Sequence, residues 1–327
     1  YLDSNKFFNK LDKSTTNSHN FSSKYIQSLV NLGKYKQASI YSEKLEKENL
    51  SNFESILFKG LTEFKKKNYS NAKIYFDRLN LNFENQLIFQ PLKISLKNWA
   101  DISMSSSEES IRSIESMPSE YGSFKLVQIA FAHCYFDTSS AEMEFNKIIK
   151  NEKKKFYRYN FFFANYLLSK EKKVQAEKIV SLTSKEFPRN LLINQLGENL
   201  KKNEKNKNQF NCKKSQDIVA EIFYAFANAL SGQKNYKLSN FYINLAKYLN
   251  PDFLSYNALL AENFFMLKKY EESKKIYKNL YNLGSFYQWH SSKEIASILE
   301  EQDKKAEAIN FLSKSYNRIN KTIYRTF

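Results

Sequence analysis

Tyr35 and Ala38 recur 34 residues later as Tyr69 and Ala72, and the same interval separates Tyr236 from Tyr270. A fixed spacing of this length demands a supersecondary unit copied along the chain, each copy burying its apolar face on its neighbours. The clearest copy is FESILFKGLTEFKKKNYSNAKIYFDRLNLN, from Phe53 to Asn82. Within it Gly60 stands at position eight, Tyr69 at seventeen, Ala72 at twenty and Phe76 at twenty-four. Gly60 and Ala72 fall where two helices cross, so larger side chains there would hold the backbones apart. Tyr69 closes the turn, and Phe76 and Leu79 share a stripe of the second helix that fills the space before the next hairpin.

With six Gly and four Pro in 327 residues, the chain has too few turn formers for a sandwich or barrel, whereas its Lys, Glu, Leu, Ala, Ser and Asn suit helices and their caps. The interval and these positions resemble the tetratricopeptide repeat. That resemblance implies an all-α fold, a right-handed α-solenoid of tetratricopeptide-like helical hairpins. A solenoid also suits a chain too long for one compact core, because each repeat packs only on its neighbours.

Along the chain, a stray second helix is expected at residues 1–12, a hairpin at 19–50 containing NLGKYKQAS, and the clear unit at 53–82. From Leu87 the pattern degenerates. Pro91 is expected at the start of a helix running through Trp99 and Ala100, and SMSSSEESIRSIESM supplies a capped second helix. Pairs follow at 122–150 and 157–188, then an extra helix at 190–203. KKNEKNKNQFNCKKSQ lacks apolar periodicity and reads as an exposed loop. The division expected is therefore an N-terminal array over 1–203, a polar loop over 204–215 and a C-terminal array over 216–327, in one continuous solenoid. In the last part AEIFYAFANAL packs on FYINLAKYLNPDF, and two further units follow, with Ala308 at the final crossing.

The AEIFYAFANAL helix followed by YINLAKYLNPDF is similar to a segment of a tetratricopeptide family widespread in alphaproteobacteria. Ser239 departs from the Ala of an ideal repeat at position twenty, but is still small. The resemblance implies export and a signal sequence ahead of the repeats, and the first residue, Tyr1, falls inside an expected second helix, so an upstream segment is expected. Export to the periplasm and a cytoplasmic location both stay open. The richest apolar run, FFFANYLL, falls short of the roughly 18–20 residues a spanning helix needs. Cys134 and Cys212 form no CxxC and lie in different units, which points to neither a zinc site nor a disulfide framework.

The net charge is +17, and residues 147–214 carry eighteen basic against six acidic side chains. Abundant Lys, Asn, Ile, Phe and Tyr fit an AT-rich genome, which would make the whole surface basic. Local clustering at Lys153, Lys154, Lys155 and Arg158, at Lys172 and Lys173, and at Lys201, Lys202, Lys205 and Lys207 offers instead a contact for an anionic surface, nucleic acid or acidic lipid. Nucleic acid would also require positioned aromatics, and Phe156, Tyr157, Tyr159 and Phe161 are interleaved with this charge, although aromatics at helical spacing belong more often to a core.

The tetratricopeptide resemblance further implies a concave groove lined by first helices. Carried over, its positions fall on Leu57, Leu61 and Phe64; on Arg158, Phe161 and Asn165; on Glu221, Tyr224 and Asn228; and on Ser255, Glu262 and Phe265. Aromatic anchors beside amide donors suit a peptide or protein segment, although Phe64, Phe161 and Phe265 equally suit packing between hairpins. A carboxylate clamp for acidic C-termini is not expected, because Asn165 and Asn228 are accompanied by Phe161 and Tyr224 where a Lys is required. No phosphate-binding glycine loop, HExxH or GxSxG is present. His133 beside Cys134 projects in a different direction on a helix and has no partner set for a metal. The sequence thus reads as a non-catalytic protein-protein interaction scaffold without cofactor or metal, with anionic-surface binding through 147–214 as the alternative.

Overall fold

The computed structural model describes residues 19–80, 86–150 and 157–319. The helix expected at 1–12, and Lys153, Lys154, Lys155 and Phe156, lie outside them. Among the described residues the fold is an all-α helical repeat with no strand. The helices are α1 His19–Asn31, α2 Tyr35–Lys47, α3 Phe53–Lys65, α4 Tyr69–Asp77, α5 Gln86–Met104, α6 Arg112–Glu115, α7 Gly122–Phe136, α8 Ala141–Ile149 and α9 Tyr157–Ser169. They continue as α10 Lys173–Glu186, α11 Leu191–Lys202, α12 Ser215–Gly232, α13 Tyr236–Leu249, α14 Tyr256–Met266, α15 Tyr270–Leu280, α16 Ser285–Glu301 and α17 Lys305–Arg318.

The repeating interval is written into the turns. Two residues before six of the second helices the backbone is left-handed: Gly33, Lys67, Glu171, Lys234, Lys268 and Asp303 have φ between 58° and 69°. The next N–H reaches back five residues, from Lys34 to the Leu29 carbonyl, Asn68 to Glu63, Asn235 to Leu230 and Lys269 to Phe264, at 2.8–2.9 Å. This helix-ending motif satisfies carbonyls that the helix leaves open. Only one of the six turns uses Gly, so a chain poor in glycine builds them at a conformational cost that hairpin packing must offset.

The crossings depend on small side chains. A Cβ on Gly60 would stand 2.5 and 2.8 Å from the ring of Phe76, which is itself fully buried. Ala38 and Ala72 are fully buried. Two later repeats use serine: Ser239 Oγ donates to the Ala227 carbonyl at 2.7 Å and Ser273 Oγ to Ala261 at 2.8 Å, so donor and acceptor both recur after 34 residues. Asn52 opens α3 with a reciprocal cap to Ser55. Pro91 departs from expectation, because it lies inside α5 rather than at its start. In the degenerate hairpin that follows, Ser107 caps a 3-10 turn leading into α6, and buried Trp99 donates to buried Gln128 at 3.1 Å.

The helices form two compact units, neither continuous in sequence: residues 1–138 with 212–251, and 139–211 with 252–327. They are not the two sequential arrays expected on either side of the polar loop. In the first unit α1 to α5 stack in order, then α12 and α13 return, α13 against α1 and α12 against α5. The turn tyrosines meet the returning pair. Tyr35 Oη donates to the Asn244 carbonyl at 3.1 Å, and Tyr69 Oη lies 3.3 Å from both Ser215 Oγ and Gln216 Nε2. The Tyr248 ring packs tilted on both Tyr35 and Phe58, with centroids at 4.7 and 5.3 Å. Cys134 and Cys212 form a disulfide with Cα atoms 5.8 Å apart, which corrects the reading of two unrelated cysteines. Their sequence separation of 78 concealed a proximity that only the return of α12 creates.

The second unit contains α8 to α11 and α14 to α17. Phe162, Phe210 and Phe253 cluster with centroids 4.5–6.4 Å apart, and Phe161 packs on Phe253 at 5.8 Å. The stretch expected as an exposed loop is pinned here: Asn208 is buried and accepts the Ser255 N–H at 2.9 Å, and Phe210 is buried. The helix α11 packs on α16, where Gln195 accepts the Phe286 N–H at 3.1 Å. Gly284 is required at that contact, because its φ is +132° and an added Cβ would stand 2.1 Å from Gln195 Nε2.

Gly60→Ala gains helix propensity but overpacks the crossing, and should destabilise by about 1–2 kcal/mol in a urea titration. Replacing both cysteines by serine releases a long loop and should cost about 4 kcal/mol in the chain-entropy account, read as a lower Tm that added reductant reproduces in the unaltered protein.

Candidate functional site

The residues carried onto a groove separate sharply by exposure. Leu57, Leu61 and Phe64 of α3 and Phe161 of α9 are fully buried, and Glu221 of α12 is 1% exposed. These five belong to packing within the units and not to an open lining, because the chain's own returning helices complete the inner faces. Asn165 spends its amide on the Phe210 carbonyl at 2.9 Å. The Arg158 guanidinium lies 5.7, 5.5 and 5.9 Å from the rings of Phe162, Phe253 and Tyr256, so this cation supports the aromatic cluster. Ser255 is buried, with its hydroxyl bonded to the Tyr287 hydroxyl. Tyr224 is half-buried and Asn228 exposed on α12; Glu262 is exposed and Phe265 half-buried on α14.

The basic set is similarly divided. Lys172 pairs with Glu142, Lys173 with Glu177 at 3.8 Å and Lys202 with Glu198 at 2.7 Å, while Lys201 is exposed. His133 Nδ1 lies 2.7 Å from Thr138 Oγ1, and its neighbour Cys134 is in the disulfide, which leaves no adjacent ligand pair there. Among the described residues no three His, Cys, Asp or Glu side chains are arranged to hold a metal ion.

In the second unit α14 and α16 present one partly open face. Tyr256, Leu259, Leu260, Ala261, Asn263 and Phe264 turn α14 into the core and leave Glu262, Phe265 and Met266 toward solvent. On α16, Ser291, Ser292, Ile295, Ala296 and Ile298 are buried, leaving His290, Lys293 and Glu294 half-buried. The sequence contained a signal for this pair, since His290 and Glu294 are four residues apart and so share a helix face.

The electrostatics of the face follow from partial desolvation. Glu262 reaches solvent, yet the surrounding protein raises its pKa above the usual carboxylate range. Glu294 is also raised, first by burial and then by the charge of Glu262, against which Lys293 acts. Burial, and then Lys293, lowers the pKa of His290 to about 4. Its Nδ1 lies 3.7 Å from Glu294, but a neutral imidazole supplies no countercharge at neutral pH. The two carboxylates are thus held above their usual range mainly by burial, with Lys293 acting on Glu294 in the opposite direction. An open depression between α16 and α17 is lined by Trp289, Leu312, Ser313, Tyr316 and Asn317, with Lys293 Nζ 5.9 Å over the Trp289 ring.

No protein-family model matches the chain, and no curated protein matches it. Among solved structures it is similar to the crystal structure of yeast Tom70, at 14% identity over 98% of this chain and 74% of that one, with a TM-score of 0.25. Likeness that loose supplies neither a shared frame nor a transferable residue.

The His290 ring should titrate by NMR with a midpoint near 4. A depressed histidine contributes stability above its unfolded pKa of about 6.5, and that contribution is lost as pH falls toward 4. The raised carboxylates have the opposite sign and recover stability over the acid side of the same range. Glu262→Gln with Glu294→Gln removes the offset, so the loss of Tm between about pH 6.5 and 4 should steepen.

Proposed function

We propose that this protein is a non-catalytic interaction scaffold that holds a segment of a partner protein on the α14–α16 face. The observation that carries the reading is the pair Glu262 and Glu294, both held above the usual carboxylate range by burial, with Glu262 near enough to raise Glu294 further, beside a histidine that burial keeps neutral at neutral pH. Such a pair is complemented by a Lys or Arg of a partner, while Phe265, Met266 and Trp289 offer apolar contact beside it. Tyr224, half-buried, and Asn228, exposed, supply a similar aromatic and amide combination in the first unit.

Export from the cytoplasm is part of this reading. It is supported by the Cys134–Cys212 disulfide, because such bonds persist in oxidising compartments. It also agrees with the resemblance of AEIFYAFANAL and its following turn to exported alphaproteobacterial repeats.

The test is a pair of synthetic peptides with the same aliphatic residues, one carrying Lys and Arg and the other Glu in their place. The basic peptide should bind and the acidic one should not. Glu262→Gln with Glu294→Gln should weaken the basic peptide by about five- to tenfold without moving helical content. Equal affinity of variant and unaltered protein would remove the face from the function.

A further inference from the structure

The helix α10 is lightly committed to its unit. Of its fourteen residues only Ala176, Val180 and Thr183 are buried, in one narrow stripe. At about 100° per residue the opposite side carries Val174, Lys178, Leu182 and Lys185. Val174 is 80% exposed and Leu182 60%, and Lys178 and Lys185 stand among them. The Glu142–Lys172 ion pair ties the first turn of α8 to the start of α10, and the next residue of α8, Met143, is 53% exposed. The surrounding segment 170–189 carries six basic side chains against three acidic ones, and of the latter Glu177 faces Lys173 at 3.8 Å.

This combination identifies its complement. Aliphatic side chains interleaved with lysines on the outer side of a helix suit an anionic bilayer: the lysines meet phosphate and carboxylate headgroups, and the apolar tips enter the boundary with the acyl chains. A nucleic-acid strand would instead need exposed rings on which bases stack. The aromatics here are otherwise engaged, since Phe161 and Phe162 are buried and the Tyr157 ring stacks on Phe187 at 3.7 Å. We propose that α10, with the first turn of α8, is a shallow docking surface for an anionic lipid bilayer. Met143, Val174 and Leu182 insert, and Lys178 and Lys185 contact the headgroups. This surface is separate from the α14–α16 face and does not depend on its occupant.

Vesicle flotation with the whole chain tests it, using phosphatidylcholine alone and phosphatidylcholine with about a third phosphatidylserine. The protein should float with the anionic vesicles only. Val174→Asp with Leu182→Asp should lower the bound fraction at least about fivefold, and Lys178→Glu with Lys185→Glu should abolish the preference for phosphatidylserine. All four positions are exposed, so thermal melting by circular dichroism should be unchanged and loss of fold is thereby separated from loss of binding. Glu262→Gln with Glu294→Gln should float as the unaltered protein does, which keeps the peptide reading distinct. Failure to float with either vesicle overturns the proposal. So does full binding by the aspartate variant, or displacement from vesicles by a single-stranded RNA oligonucleotide that binds more tightly through the same lysines.

Discussion

The close approach of helices at small side chains is the constraint on which the rest depends. Gly60 against Phe76, and Ser239 and Ser273 bonded across to Ala227 and Ala261, set how near the two helices of a hairpin lie. That separation decides whether the next hairpin finds a flat apolar face. The left-handed turns then fix the direction in which each second helix leaves, and their tyrosines at 35 and 69 become available to grip whatever lies alongside. In the first unit this is the chain's own α12–α13 pair. A fold built to present inner surfaces thereby fills one of them.

This explains what was legible in the sequence. The interval from Tyr35 to Tyr69 and from Tyr236 to Tyr270 is a local property, so helix boundaries near 35, 69, 236 and 270 could be read directly. The crossing at Gly60 could be read too, since the small residue and its aromatic neighbour lie in one hairpin. What could not be read is the pairing of segments distant in sequence. Cys134 and Cys212 showed no motif spacing, Asn208 sat in a polar run that concealed its buried bond to Ser255, and Leu57, Leu61 and Phe64 carried no mark separating an open lining from a covered one. Periodicity locates the apolar side of a helix but does not identify what covers it.

The site was legible in fragments for the same reason. Glu262 and Phe265 lie on α14, the first exposed and the second half-buried. His290, Lys293 and Glu294 became relevant only when α16 was set beside α14, because a carboxylate's proton affinity depends on neighbours from another element. A net charge of +17 likewise obscured how many lysines are already paired with acids.

The interleaved connectivity bears on how the chain comes into being. A ribosome delivers α1 to α7 first, then the whole of α8 to α11, and only afterwards the α12–α13 pair that completes the first unit. During that delay the emerging N-terminal helices hold an uncovered apolar surface while an unrelated unit is half made. Their final partner arrives more than 70 residues late. The pace of translation across that insertion, and any factor that shields the waiting surface, therefore becomes a determinant of yield alongside thermodynamic stability.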